Sequence, residues 1–249
     1  DLHRTLDPGD RLGCLLEPVP DDHWGLQRSL DLVAGAGFRV VGEPVAGGRS
    51  VELDLERIHS LPDTVAPEMR LLVVGLNPSP YSSKRGVGYA RPGNRFWPAA
   101  LASGVASVDR DPDHALKHHG LGMTDLVKRT TARAAEVDPG EFSAGFVRIE
   151  RLVGWLAPRA TCFVGLGGWR SVVDRRAVAG AQPQQMGGRP VYLMPNTSGI
   201  NTHSRLADLV HHLGAAAQLA DYPSVLEQHV EAVEGTNFGK ERRATSWSL

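Results

Sequence analysis

The residues best placed for chemistry follow the apolar run Arg70-Leu71-Leu72-Val73-Val74-Gly75-Leu76. Residues 77–97 carry two tyrosines, four basic side chains and two asparagines among glycines and prolines. A continuous apolar run of this kind is a strand buried on both faces, and α/β sheets present ligands at the carboxyl ends of their strands. A loop so costly to order is expected to bind something. Asn77 on its own reads first as a cap of the turn after the strand. The segment lacks the Gly-Lys-Ser/Thr ending of a phosphate-binding P-loop, and Gly165-Leu166-Gly167-Gly168 lacks the spacing of a dinucleotide fingerprint. Ser79, Ser82 and Ser83 are not set in a nucleophile elbow. The pairs His118-His119 and His211-His212 point apart on a helix, so no metal site and no cofactor are expected.

Four blocks carry a resemblance: Gly75-Leu76-Asn77-Pro78, Pro92-Gly93-Asn94-Arg95-Phe96-Trp97, Gly122-Met123-Thr124-Asp125-Leu126-Val127-Lys128-Arg129-Thr130-Thr131, and Met194-Pro195-Asn196-Thr197-Ser198-Gly199-Ile200. In this order they resemble the mismatch-specific uracil and thymine DNA glycosylase family, a branch of the uracil-DNA glycosylase superfamily, over about residues 62–220. The resemblance implies that Asn77 positions a water beneath C1′ of a flipped nucleotide, which suffices if the base departs first and leaves an oxocarbenium-like sugar. It implies that Tyr89 stacks on the base, against the simpler reading of a tyrosine anchoring its own loop, and that backbone groups around Leu76 and Tyr89 bind the uracil edge. Asp125 would stabilise positive charge or activate water, or merely cap its segment. If the carboxylate assists, bases beyond uracil become substrates.

Ile200 is the expected wedge that fills the gap left by the flipped nucleotide, with Gly199 and Asn201 reading the orphaned guanine. Thr197 and Asn201 depart from the family's commonest pattern, in which proline follows the asparagine and serine often follows the wedge. Lys84, Arg85, Arg91, Ser198, His203 and Arg205 lie in or beside the two loops and supply donors for phosphates. Lys128 and Arg129 read as solvated charges. Arg95 reads as structural, and Phe96 and Trp97 as packing for the first helix.

These residues must be held by strands and helices. Runs at 70–76, 160–166 and 190–194 read as strands; 95–101, 142–156, 169–179 and 204–219 read as helices. Strands separated by helices predict a three-layer α/β/α sandwich with a mostly parallel central sheet, like that of uracil-DNA glycosylases. Residues 1–67 read as a small extension with a helix from His23-Trp24 onward and strands near 38–41 and 50–55, without assignable chemistry. The segment Leu61–Pro67 reads as a connection. Residues 68–224 form the glycosylase domain and 225–249 a solvated tail.

The 249 residues include only two cysteines, Cys14 and Cys162, which excludes a disulfide framework or a four-thiolate metal site within the chain. The net charge of -1 gives no global pull on a polyanion, so any nucleic-acid surface must be local. No apolar stretch has the length of a membrane span, and the default location is the cytoplasm. The expectation is a monomeric, monofunctional enzyme that releases uracil opposite guanine from double-stranded DNA and hands an abasic site to downstream repair enzymes. The alternatives are a glycosylase for another damaged base and a non-catalytic DNA-binding protein of the same fold.

Overall fold

The computed structural model describes residues 2–17, 25–133 and 136–222. His23 and Trp24 and the expected tail at 225–249 lie outside the described residues. The chain first forms α1 (Leu2–Thr5), β1 (Arg11–Leu16), α2 (Leu26–Gly35), β2 (Phe38–Gly47) and β3 (Ser50–Arg57), with an antiparallel sheet in the order β1-β3-β2. Strand β3 alternates as a half-buried strand must: Val51, Leu53 and Leu55 pack with Val33 and Phe38, while the intervening acids face outward. This unit is tied to the rest by Arg151, which grips Asp31 with two hydrogen bonds of 2.6 and 2.7 Å, and by Arg28 over the Trp155 ring at 3.9 Å.

The second sheet has the order β5-β4-β6-β8-β7. Its parallel strands are β4 (Leu71–Gly75), β5 (Leu121–Asp125), β6 (Ala160–Val164) and β8 (Arg189–Met194), and β7 (Gly180–Met186) pairs antiparallel at the edge. Alternate residues of β4 serve opposite faces. Leu71 and Val73 join α4 (Phe96–Ala102), α5 (Pro112–His119) and α8 (Leu206–Asp221), whereas Leu72 and Val74 join α6 (Pro139–Leu156) and α7 (Gly167–Val172). Burial on both faces is why β4, β6 and β8 lack polar alternation.

Several elements differ from the sequence expectation. Residues 77–97 are not one open loop, because α3 (Pro80–Arg85) interrupts them. Ser79 caps it by accepting from the Ser82 N–H at 3.2 Å, Pro80 fits its first turn, and Gly86 ends it at φ 66°. Strand β5 falls in a Gly-Met-Thr-Asp segment of poor strand propensity that is held by its place beside β4. Strand β7 is polar and contains Pro183, which an edge tolerates; its register shifts between Gln182 and Met186. Helix α7 ends at Val172, short of the expected Ala179, with Ala177 buried beyond it.

Candidate functional site

Because β4 and β5 run parallel in register, Gly75 lies opposite Asp125, and both strands end at the same edge. There a cavity of about 340 Å³ is lined by Leu76, Asn77, Tyr89, Asp125, Ser198 and Ile200, among others. Three loops distant in sequence thus meet at one place.

Asn77 donates from Nδ2 to Thr131 Oγ1 at 2.7 Å, and Thr131 donates its single hydroxyl hydrogen to the Arg133 carbonyl at 2.8 Å. Thr131 must therefore accept from Asn77, which fixes the amide orientation and leaves Asn77 Oδ1 as an acceptor without a partner among the described residues. Longer contacts of 3.4 Å from Nδ2 to the carbonyls of Pro78 and Arg129 point the same way. Thr131 ended one of the blocks singled out in the sequence, but its role is visible only in three dimensions.

Asp125 is buried, and its carboxylate has no hydrogen-bond or ion-pair partner among the described residues. Burial pushes its carboxyl up to about 6, with Asp63 adding to the rise and Lys128 and Arg148 opposing it. An acid kept near neutrality on the wall of a cavity is suited to exchange a proton.

Tyr89 lines the same cavity with its ring stacked on Phe96, centroids 4.2 Å apart at 18°. Its backbone sits at φ 58°, a conformation that a bulky residue adopts only where the surroundings enforce it. Trp97 helps by donating from Nε1 to the Gly88 carbonyl at 2.8 Å. The Tyr89 hydroxyl is buried and has no partner among the described residues, and it is held protonated by burial and by the nearby Asp125, which raise it well above its ordinary value. Phe96 and Trp97 are fully buried between α4 and the sheet, so Phe96 both packs the helix and backs Tyr89.

The segment after β8 projects Ile200 outward, 87% exposed. Arg95 holds this segment: its guanidinium donates to the carbonyls of Ser198 at 3.1 Å, Asn201 at 2.7 Å and Ser204, while its backbone N–H bonds the Thr197 carbonyl at 2.9 Å. Arg95 is thus structural in a specific sense, as the brace of the exposed isoleucine. Gly199 packs so closely on Gly93 that an added Cβ would stand 2.6 Å from the Gly93 carbonyl oxygen. The Asn201 amide is committed inside the segment, donating to the Asn196 carbonyl at 2.7 Å and accepting from the His203 N–H at 3.1 Å.

The expected phosphate donors are not all brought together. Arg91 and Ser198 line the cavity. Lys84 and Arg85 face a second, adjoining cavity. His203 is exposed, and Arg205 caps α8, its N–H bonding Asp208 at 2.7 Å.

Lys128 is not a solvated charge. It is buried against Asp63 at 2.6 Å and the Leu61 carbonyl, and Arg148 reaches the other Asp63 oxygen at 3.0 Å. Thr124 donates to Asp63 at 2.6 Å, and Arg148 also bonds Thr124 Oγ1 at 2.9 Å and the Asp125 carbonyl at 3.1 Å. Burial would raise Asp63, but Arg148 and Lys128 outweigh it and hold the carboxyl below its ordinary value. The segment expected to be a mere connection therefore supplies the ionic anchor beneath Asp125, which no local sequence signal marks. Arg129 is half exposed and pairs with Glu141 through bonds of 2.9 and 2.7 Å. Among the described residues no group of three or more His, Cys, Asp or Glu side chains is arranged to hold a metal ion, and no helix is long and apolar enough to cross a membrane.

The Uracil DNA glycosylase superfamily model matches residues 62–219. The chain is also similar to a candidate uracil DNA glycosylase from Methanosarcina acetivorans, solved in solution by NMR. Identity is 20%, the TM-score is 0.41, and the match covers 62% of this chain and 98% of that one; a likeness so distant carries no functional weight.

Proposed function

We propose, because the chain belongs to the uracil DNA glycosylase superfamily, that it is a monofunctional glycosylase of the mismatch-specific branch, releasing uracil opposite guanine from double-stranded DNA. The observation that carries this reading is the fixed polarity of Asn77, which leaves its Oδ1 without a partner among the described residues, on a side chain that lines the same cavity as Asp125 and Tyr89. The nucleotide enters this cavity from the helix and its base lies against Tyr89. The C1′–N1 bond breaks with its electron pair leaving on uracil as a resonance-stabilised anion. Water held by Asn77 Oδ1 then adds its oxygen to C1′, and the ionised Asp125 carboxylate takes the released proton. The burial of Lys128 in its ion pair with Asp63 supports base release without a Schiff base.

The helices packed against both faces of the sheet support a three-layer α/β/α domain, and the separate core of Val33, Phe38, Val51, Leu53 and Leu55 supports a small N-terminal unit that ends before Asp63, short of the expected residue 67. The unpartnered Asp125 favours one second reading, a spectrum of bases wider than uracil. The test is a panel of duplexes carrying uracil or another altered base, incubated with protein and then treated with hot alkali. Strand breaks only after alkali, about 100-fold slower with Asn77→Ala, support the assignment. Tight binding with uncut DNA across the panel would make the protein a binding module instead. Thr131→Val should slow release about 10-fold without weakening DNA binding, and Thr131→Ser should restore it.

A further inference from the structure

A second cavity of about 730 Å³ lies between the N-terminal sheet unit and the main domain. Gly86, Pro62 and Thr64 line both cavities, so the two adjoin along the C-terminal end of α3. Four basic side chains wall the second one: Lys84 and Arg85 from the last turn of α3, and Arg4 and Arg57 from the N-terminal unit. Arg4 reaches the junction itself, its Nε 4.0 Å from where a Cβ on Gly86 would be. Of the two acids in this wall, Asp63 is neutralised by Lys128 and Arg148, and Asp113 stands 3.9 Å from Arg4. Lys84, Arg85 and Arg57 have no ion-pair partner among the described residues, and Arg57 uses its Nε on the His3 carbonyl at 3.3 Å.

The placement of these arginines is selective. Residues 1–57 carry eleven acidic and six basic side chains, so the unit as a whole repels a polyanion, yet two of its six arginines stand in this wall. A strand lying along the base cavity reaches this wall over Gly86, where the two cavities adjoin and Arg4 stands. We propose that the N-terminal unit completes the nucleic-acid interface: the strand that delivers its nucleotide to Asn77 continues across Gly86 into the second cavity, where Arg4 and Arg57 join Lys84 and Arg85 in holding its phosphates. The proposal rests on the glycosylase reading above. It gives residues 1–57 the function of lengthening the footprint on the damaged strand, in a protein whose overall charge attracts no DNA.

The test uses the full chain and uracil-containing duplexes, with dissociation constants measured by fluorescence anisotropy over a series of salt concentrations. Arg57→Gln and Arg4→Gln are each expected to weaken binding about five-fold at moderate salt and to flatten the slope of log K against log salt by about 0.9. Arg57→Lys, which keeps the charge, should retain the wild-type slope. Duplexes shortened from one side of the uracil, but not from the other, should erase the difference between wild type and Arg57→Gln. Unchanged affinity and slope in both glutamine variants, with a wild type that binds and cuts the duplex, would overturn the proposal while leaving the glycosylase reading intact. A wild type that neither binds nor cuts any member of the base panel would instead overturn the reading beneath it. A weakened Arg57→Gln that Arg57→Lys does not rescue would assign Arg57 to holding α1 through the His3 carbonyl, and would also count against the proposal.

Discussion

Gly75 leaves open the space that Asp125 fills: a Cβ on Gly75 would stand 2.3 Å from Asp125 Oδ1 and 3.0 Å from the Tyr89 hydroxyl. Glycine is needed here for close approach of two polar groups and not for backbone freedom. Gly75→Ala is expected to push the carboxylate and the tyrosine apart and to slow base release about 100-fold, because a displacement near 1 Å is enough to spoil a reacting geometry. Single-turnover excision measures it. A rate within three-fold of wild type would mean that the convergence of Asp125 and Tyr89 is irrelevant to the reaction.

Asp125 should impose opposite trends on activity and stability. Its folded value of about 6 exceeds the ordinary 3.8, so the folded state holds the proton more tightly than the unfolded chain, and stability falls as pH rises from 3.8 through 6. Above that range the buried charge costs about 3 kcal/mol. Asp125→Asn should therefore raise stability to denaturant by about 1–3 kcal/mol at pH 7.5 and bring no gain at pH 4. If the ionised carboxylate accepts the proton of water, wild-type excision rises with pH through about 6, and the asparagine variant is slower and flat over the same range. A wild-type profile already flat there would remove Asp125 from the chemistry.

The uneven legibility of this site in the sequence has a physical pattern. Strands β4, β6 and β8 are visible because burial on both faces demands unbroken apolar runs, and Asn77 and Ile200 stand in motifs whose order survives without coordinates. Strand β5 is hidden because its Gly-Met-Thr-Asp residues have poor strand propensity and its stability comes from pairing with β4. Helix α3 is hidden because a six-residue helix depends on its caps, Ser79 and Gly86, which also look like turn residues. Asp63, Lys128 and Arg148 come from three separate segments, and nothing local distinguishes a lysine destined for a buried ion pair from a solvated one.

Asp63 is the least replaceable residue of the support. Removing its carboxylate leaves two buried cations, Lys128 and Arg148, without their anion, and takes away the acceptor of the Thr124 hydroxyl, which keeps only its bond from Arg148. Asp63→Ala is expected to cost about 3–5 kcal/mol in urea unfolding. Since its folded value lies below the ordinary one, its contribution is present at neutral pH and fades as acid protonates it. The deficit of the variant relative to wild type should therefore shrink below about pH 4; a deficit that does not change with pH would argue that packing, not charge, is what Asp63 supplies.

Ile200 separates function from stability most cleanly. At 87% exposure it contributes almost nothing to the folded protein, so Ile200→Ala should leave the thermal midpoint unchanged. If its side chain fills the gap in the base stack, the same substitution slows excision from a paired duplex about 10-fold and barely affects a single strand, where no gap has to be filled. Arg95→Met should copy that substrate dependence, because it releases the carbonyls of Ser198, Asn201 and Ser204 that keep the isoleucine projected, and it should also lower the midpoint. Equal slowing on duplex and single strand in Ile200→Ala would contradict a wedge and point to contact between this side chain and the nucleotide inside the cavity, whose lining it joins.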